Sequence, residues 1–344
     1  MYRTIYSVIR LVSINSMLVF LIAIACATPV SSAQLTPLKF CVWDPVGANG
    51  PFIAFLKETK LKAISWGIDL QLEAYTDEKV ASNDFKSGIC SAVFLTNLLA
   101  RDFVPFSAAF GAPGAIRTLD ELKTLSKTLN SPKALKFITN GKYEVTGLFP
   151  IGEIYTFVRD RKYRSLEDIS GKKVSILNAD IASSRFAEIV GASKVHTSLA
   201  TWGGQFNNGN VDVMFGPALA YNTFELYKGL GENGAIIDFN ILYAVMQMVV
   251  NTESVPSTFG KQMRSHALTR FSELEEMVRQ ARSEIPQKYW MTLTEAEQKD
   301  YEGLARDIRL GLRDEKKYDA KSLTILWKIR CKFDPSATEC ASPE

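Results

Sequence analysis

Polar and aromatic residues recur where apolar runs give way to loops, and these are the positions at which the chain can handle a small molecule. Trp43 and Asp44 close the run Leu38 to Trp43, and Asn49 follows in a loop rich in glycine and proline. Thr96 and Asn97 follow the run Cys90 to Leu95, and Asn178 and Asp180 follow Val174 to Leu177. Trp202 stands in a Gly-Gly return, and Phe215, Gly216 and Tyr221 lie at and just beyond the end of a further run. Ligand sites join an aromatic or apolar wall to a few placed polar groups, so this set points to non-covalent capture. Trp43 with Asp44 is the sharpest pair; the alternative puts Trp43 in the core and Asp44 in a turn cap. Asp180 reads more simply as a helix cap than as a ligand contact. Arg185 is either an anion partner or one end of a surface salt bridge.

Reaction chemistry has little to work with. There is no Gly-x-Ser-x-Gly elbow, no His-Glu-x-x-His and no Gly-x-Gly-x-x-Gly, and Gly203-Gly204 is not followed by the Lys-Ser/Thr of a phosphate loop. The two histidines, His196 and His266, are far apart and read as partly exposed structural residues. No Cys-x-x-Cys occurs and no acidic cluster flanks a histidine, so no metal and no cofactor are expected. An enzyme remains the rival class, recognisable by a perturbed acid or base in a cleft and a pH-dependent turnover.

The elements that must position these residues alternate. Leu38–Trp43, Ile68–Ala74 and Cys90–Leu95 read as strands, with helices over Phe52–Thr59 and Asp77–Lys86 and another starting at Thr96 or Asn97, either serving as its cap. The loop before Phe52 ends at a helix N-terminus, where free amides receive ligands in α/β proteins. Residues 105–116 read as a packed loop, Thr118–Leu129 as a helix, and Tyr143–Phe149 and Ile154–Arg159 as two strands. Ser165 to Pro217 has βαβ punctuation: a short acidic helix, the strand Val174–Leu177, a helix from about Ala182 to the Gly191-Ala192 turn, then a return to a strand ending at Gly216-Pro217. Gly88 to Phe94 echoes the spacing of Gly209 to Phe215. Ile236–Asn251 crosses back, Phe271–Arg313 is helical with a break at Pro286, and Leu323–Ile329 adds one more turn. The expected fold is therefore α/β with two lobes and a ligand cleft between them. Lobe one covers 38–153 plus a return at about 246–270, lobe two covers 154–245, and C-terminal helices and tail over 271–344 pack across both.

The chain has 344 residues and a net charge of +3 from 40 basic and 37 acidic side chains. Such balance gives no footprint for nucleic acid. Residues 1–33 read as a signal peptide, with Arg3 and Arg10 before the apolar Met17–Ala27 and small residues at Ser31-Ser32-Ala33. The mature protein is expected in the periplasm; Cys26 raises a lipid anchor as the alternative, although Ala23 is a poor residue for that motif. Four cysteines then remain, an even count that favours disulfides in an oxidising compartment. Of the three possible pairings, Cys41–Cys90 joins neighbouring strands and Cys331–Cys340 joins residues close in sequence, and these two are expected.

The pieces Leu166-Glu167-Asp168-Ile169-Ser170-Gly171-Lys172-Lys173-Val174, Gly191-Ala192 and Gly209-Asn210-Val211-Asp212 resemble the solute-binding proteins of tripartite ATP-independent periplasmic (TRAP) transporters. The chain also looks like a divergent branch described as efflux-pump components linked to aminoglycoside resistance, the AdeT type. The resemblance implies a two-lobe periplasmic binding protein that captures a small solute by hinge closure and delivers it to a membrane transporter. In that family an arginine that forks a substrate carboxylate falls at Ser175, and a hydroxyl cannot supply a planar pair of donors. A carboxylate ligand is thus doubtful unless Arg185 compensates, and a cationic or polar neutral ligand near Asp44 and Asp180 is the expectation. The other reading is a periplasmic adaptor of an efflux system without a transported ligand, marked by an exposed apolar patch.

Overall fold

Strand and helix alternate from the start of the described chain: β1 (Thr36–Trp43), α1 (Pro51–Ile64), β2 (Ile68–Tyr75), α2 (Glu78–Lys86) and β3 (Ala92–Thr96). The computed structural model describes residues 35–344; the expected signal over 1–33, with Cys26, lies outside them. β1 pairs in parallel with both β2 and β3, a geometry that needs helical crossovers. Asp77 starts α2 by accepting from Lys79 N and Val80 N. Phe40, Val42, Phe94 and Leu95 are buried. The expected disulfide Cys41–Cys90 ties β1 to the approach of β3, with Cα atoms 5.9 Å apart.

Residues 105–116 depart from the loop expected there, since Pro105–Gly111 form a 3-10 helix with Ser107, Ala108, Ala109 and Phe110 buried. Small side chains let such a tight coil sit inside the protein. After it come α3 (Leu119–Leu129), capped by Thr118, the two-residue β4 (Thr139–Asn140) and β5 (Tyr143–Val158). β5 replaces the two strands expected, because the chain passes Pro150 and Gly152 without leaving the sheet. It does so through register shifts at Val145/Gly147, Pro150/Gly152 and Ile154/Thr156, the places where a strand tolerates proline.

The next stretch runs β6 (Lys173–Leu177), α4 (Ile181–Val190), β7 (Ser193–Thr197), α5 (Leu199–Asn207) and β8 (Val213–Pro217). Two of these correct the sequence reading. β7 is a short, largely polar edge strand paired in parallel with β6, so it lacks the apolar run that marks an interior strand. The Trp202–Gln205 return is helical: a Ser198–Thr201 capping box starts α5. Gly203 is needed in it because a Cβ there would stand 2.7 Å from that of Phe224. The Gly88/Gly209 echo has a common backbone cause. Both glycines take left-handed φ, +86° and +77°, ending α2 and α5 before strands that each start four residues on.

The chain closes with β9 (Ala235–Asn251), α6 (Phe259–Thr269), α7 (Phe271–Ser283), β10 (Trp290–Met291), α8 (Glu295–Asp314) and α9 (Ala320–Phe333). β10 was not legible, being two residues paired with Ile236 and Ile237, and α9 is longer than the single turn expected. The sheet order is β2-β1-β3-β9-β5-β8-β6-β7. β5 and β9 run antiparallel from Tyr143↔Asn251 to Val158↔Ala235. β3 joins this ribbon at Met246–Val250 of β9, and β8 joins it at Ile154–Val158 of β5. Thr36–Glu344 form one compact unit.

α8 packs on α4 and β9, while α9 packs on α3 and the 3-10 helix. Between them Arg309, Arg330 and Glu344 are buried, and the half-buried Glu339 joins them. Arg330 Nε lies 2.9 Å from Glu339 Oε1, and its Nη2 lies 2.9 Å from Glu344 Oε2. The remaining donors hold the turn after the 3-10 helix: Arg309 Nη1 donates to Pro113 O at 2.7 Å and Arg330 Nη1 to Ala115 O at 3.0 Å. The second expected disulfide, Cys331–Cys340, fastens the tail that carries Glu339 to α9.

Candidate functional site

Trp43 ends β1 with its indole against a cavity of about 200 Å³. Thr96, Asn97 and Phe52 complete this wall from the β1–β3 end of the sheet. Leu177, Phe186, Trp202 and Phe215 come from the β6–β8 end. Phe239 and Leu242 of β9 form the floor of the ribbon, and Tyr301, Leu304 and Ile308 of α8 close a further side. Trp202 approaches closely because residue 216 is glycine; a Cβ on Gly216 would lie 2.5 Å from its ring.

Asp44 does not face this cavity. It is fully buried, and its carboxylate accepts from Val46 N at 3.0 Å, Phe52 N at 2.8 Å and Ile53 N at 3.1 Å. The N-terminus of α1, expected as an open cradle for a ligand, is therefore filled by the chain itself. Burial raises the Asp44 pKa, opposed by those three amides. Asn49 is exposed and off the cavity.

Neither Thr96 nor Asn97 caps a helix through its side chain. Instead Thr96 N donates to Glu78 Oε1 at 2.6 Å. Asn97 Nδ2 donates to Ala108 O at 3.0 Å while its Oδ1 accepts from Gln247 Nε2. Asn97 thereby clamps the 3-10 helix to β9, and Gly111 makes room for it, since a Cβ there would meet Asn97 Nδ2 at 2.5 Å. Burial pushes the Glu78 carboxyl up to about 7.

On the other wall Asp180 lines the cavity as the cap of α4, accepting from Ala182 N and Ser183 N at 3.0 Å each and from Ser183 Oγ. Ser175 is buried one strand-repeat behind Leu177, its Oγ 3.0 Å from Thr197 Oγ1. Asn178 is exposed, and Tyr221 is buried near Tyr227 and Tyr289, away from the cavity. Arg185 does not replace the missing arginine: it pairs with Glu188 at 3.0 Å and with Glu315, linking α4 to the end of α8. Arg101, just after β3, donates to Ala179 O at 2.7 Å, joining the two ends of the sheet beside Asp180. Neither histidine lines the cavity: His196 is exposed on β7, and His266 lies 3.2 Å from Thr59 Oγ1.

Six of the residues singled out from sequence thus come together: Trp43, Thr96, Asn97, Asp180, Trp202 and Phe215. The α8 contribution was missed. Tyr301, Leu304 and Ile308 form an apolar stripe at helical spacing, hidden in sequence among interleaved acids and bases.

An open α/β sheet crossed by one long ribbon, with a cavity walled by both ends, is a fold shared with solved solute-binding proteins. It matches DctP7 of Bordetella pertussis, a receptor binding pyroglutamic acid, with a TM-score of 0.69 at 12% identity over 86% of this chain and 99% of that one. A TRAP solute-binding protein from Haemophilus influenzae holding L-gulonate gives 0.67 at 15% identity over 86% and 99%. The family model described as solute-binding protein AdeT 1/2 matches residues 59–344. The probable solute-binding protein AdeT1 of Acinetobacter baumannii is 35% identical over 300 residues, 87% of this chain and 99% of that one. The chain belongs to the AdeT 1/2 family of solute-binding proteins.

Proposed function

We propose that this protein works in the periplasm as the receptor of a transporter, capturing one small molecule in the cavity and releasing it to a membrane partner. The observation that carries the reading is a cavity walled by both α/β ends, which are joined through the β5–β9 ribbon, the helices laid over it and the Arg101–Ala179 bond. Bending of that ribbon at its register shifts would bring the walls together and exclude water, the hinge closure of two-lobe receptors. Lobe one then corresponds to 38–153 with 246–270 and lobe two to 154–245, since β5 takes up β8 from Ile154 and β9 takes up β3 from Met246. No helix among the described residues is long and apolar enough to cross a membrane, so transport needs a separate membrane component.

No chemistry is assigned to the cavity, which has neither a histidine nor a cysteine among its lining residues. The adaptor reading gains no support from the surface. Exposed apolar side chains are spread over separate elements, with Leu61 and Ile64 on α1, Val80 on α2 and Ile189 on α4. A thermal-shift screen of small solutes tests the proposal. A ligand at about 100 times its dissociation constant adds about 2.7 kcal/mol of stability, and raised midpoints that vanish when Trp202 or Phe52 is replaced by Ala support capture between the walls. No shift with any solute class would overturn it.

A further inference from the structure

We propose that the C-terminal tail is a positioning element of the cavity: Glu339 and Glu344, acting through Arg309 and Arg330, fix residues 112–117, and these fix the stretch of β9 that forms the cavity floor. Its bearing on solute capture rests on the receptor reading; the linkage from tail to floor does not.

The floor lacks the support that the rest of the ribbon has. Ile154 of β5 pairs with Leu242 and Thr156 pairs with Ile237, so one residue of β5, Tyr155, spans the place where β9 passes Asp238 to Ile241. Phe239 and Ile241 line the cavity from this stretch, with Leu242 beside them. Backbone groups left out of a ladder and kept from water must find partners elsewhere. Residues 112–117 supply them. Gly114 N donates to Ile241 O and Tyr243 N donates to Ile116 O, each at 2.7 Å, while Asn240 Nδ2 donates to Arg117 O. Asp238, at the start of the stretch, is held separately by the fork of Arg282 at 2.9 and 3.0 Å.

The same segment is gripped by the two buried arginines. Pro113 O accepts from Arg309 Nη1 and Ala115 O from Arg330 Nη1. Gly114 stands between these carbonyls with φ +67°, and a Cβ on it would lie 2.6 Å from Arg309 Nη1, so the guanidinium rests directly on the backbone. Its other donors go to the tail: Arg309 Nη2 reaches Glu339 Oε2 at 2.9 Å, and Arg330 divides its Nε and Nη2 between Glu339 and Glu344. A guanidinium is a rigid planar fork. Pinning two of its nitrogens on carboxylates therefore sets the direction in which the third donates.

Glu339 owes its place to the tail. Trp327 Nε1 of α9 donates to its carbonyl at 2.9 Å, and the neighbouring Cys340 is tied to α9 through Cys331. Both cysteines are only partly buried, unlike Cys41 and Cys90. Loosening the tail frees the guanidinium planes to turn, and the carbonyls of Pro113 and Ala115 then lose their fixed donors. Residues 239–242 lose their fixed position in consequence, although no tail residue touches the cavity.

The test reads the floor without any ligand. Methyl NMR of the mature protein labelled at its isoleucine δ1 methyls follows Ile241, assigned with Ile241→Val, against Ile68, buried in the far edge strand β2. Two variants loosen the tail: Glu339→Gln, and Cys331→Ala with Cys340→Ala, which removes no charged side chain. Each is expected to shift or broaden the Ile241 signal, leave Ile68 unmoved, and speed amide exchange at Gly114 and Tyr243 about tenfold. Gly114→Ala breaks the joint without touching the tail and is expected to disturb Ile241 in the same way. Adding Glu339→Gln to it should then change little more, because both act through one contact. Faster exchange over 334–344 with Ile241 and Tyr243 unmoved would show that the influence of the tail stops at the arginines and overturn the inference. An equal change at Ile68 would mean a general loosening of the fold and overturn it too, as would additive effects of Gly114→Ala and Glu339→Gln. Each of these failures leaves the receptor reading standing, which the solute screen alone can remove.

Discussion

Glu78→Gln is the perturbation whose size follows most directly from the structure. Glu78 is buried under the cavity wall, placed there because Asp77 caps α2 and turns the next residue inward. Its Oε1 takes the amide of Thr96. Burial, partly offset by the Thr96 bonds, pushes its carboxyl from about 4.5 to about 7. The folded protein therefore keeps a proton that the unfolded chain has already released. Because the folded value is the higher one, stability falls as pH rises between those two values and is level above them. At about 1.36 kcal/mol per unit, the loss is about 3 kcal/mol. Glutamine keeps a carbonyl for Thr96 N and has no charge to bury. Urea denaturation at constant ionic strength should show the variant gaining on the parent by roughly 3 kcal/mol between about pH 4.5 and about pH 7.5. A difference that stays flat across that window would refute the reasoning, since a purely steric or capping effect has no pH slope.

Gly50→Ala should cost about 2 kcal/mol or more in chemical denaturation, because its Cβ would stand 1.7 Å from Asp44 Oδ1 and must drive that carboxylate off the start of α1; a cost under about 0.5 kcal/mol would show the carboxylate to be free to move. Arg330→Met should destabilise by about 3–5 kcal/mol, since it takes from the buried Glu344 and the half-buried Glu339 one of the two arginines that hold them closely, and the loss should appear as a lowered urea midpoint. Removing Cys41–Cys90, which spans 49 residues, should cost about 4 kcal/mol by loop entropy, against about 3 for the nine-residue Cys331–Cys340 span; denaturation of the two double Ala variants checks the order. Arg101→Ala removes the bond to Ala179 O that joins the two walls and should speed release of a bound solute several-fold in stopped-flow fluorescence, while an unchanged rate would show that this bond does not hold the cavity shut.

Much of the fold was legible because local signals agreed with tertiary ones. Asp77, Thr118 and Ser165 cap the helices they precede, and the buried strands β1, β3 and β8 are apolar runs bounded by turns. β7 and β10 were hidden for the opposite reason: an edge strand needs one apolar face at most, and a two-residue bridge has no periodicity. Pro150 and Gly152 read as breaks, yet the sheet absorbs them as bulges because β9 continues past them. In the site, residue types were a good guide to position and a poor guide to role. Asp180 caps its helix, as the simpler reading of its position had it, and Asp44 takes the turn-capping alternative and not the ligand-facing one. Arg185 has a partner, Glu315, that is distant in sequence and so invisible before folding.

The ribbon's neighbours also set a timetable for the newborn chain. β3 is an interior strand, but the partner on its open side is Met246–Val250 of β9, made long after β1, β2 and β3 are complete. Until then Ala92–Thr96 presents a bare edge of apolar residues, the kind of template on which chains pair wrongly. Contacts of such long range also slow folding. The Cys41–Cys90 bond can close during this interval, because both cysteines belong to the early segment. It would register β1 against β3 while the edge waits, so oxidation before the arrival of β9 should favour productive folding over aggregation.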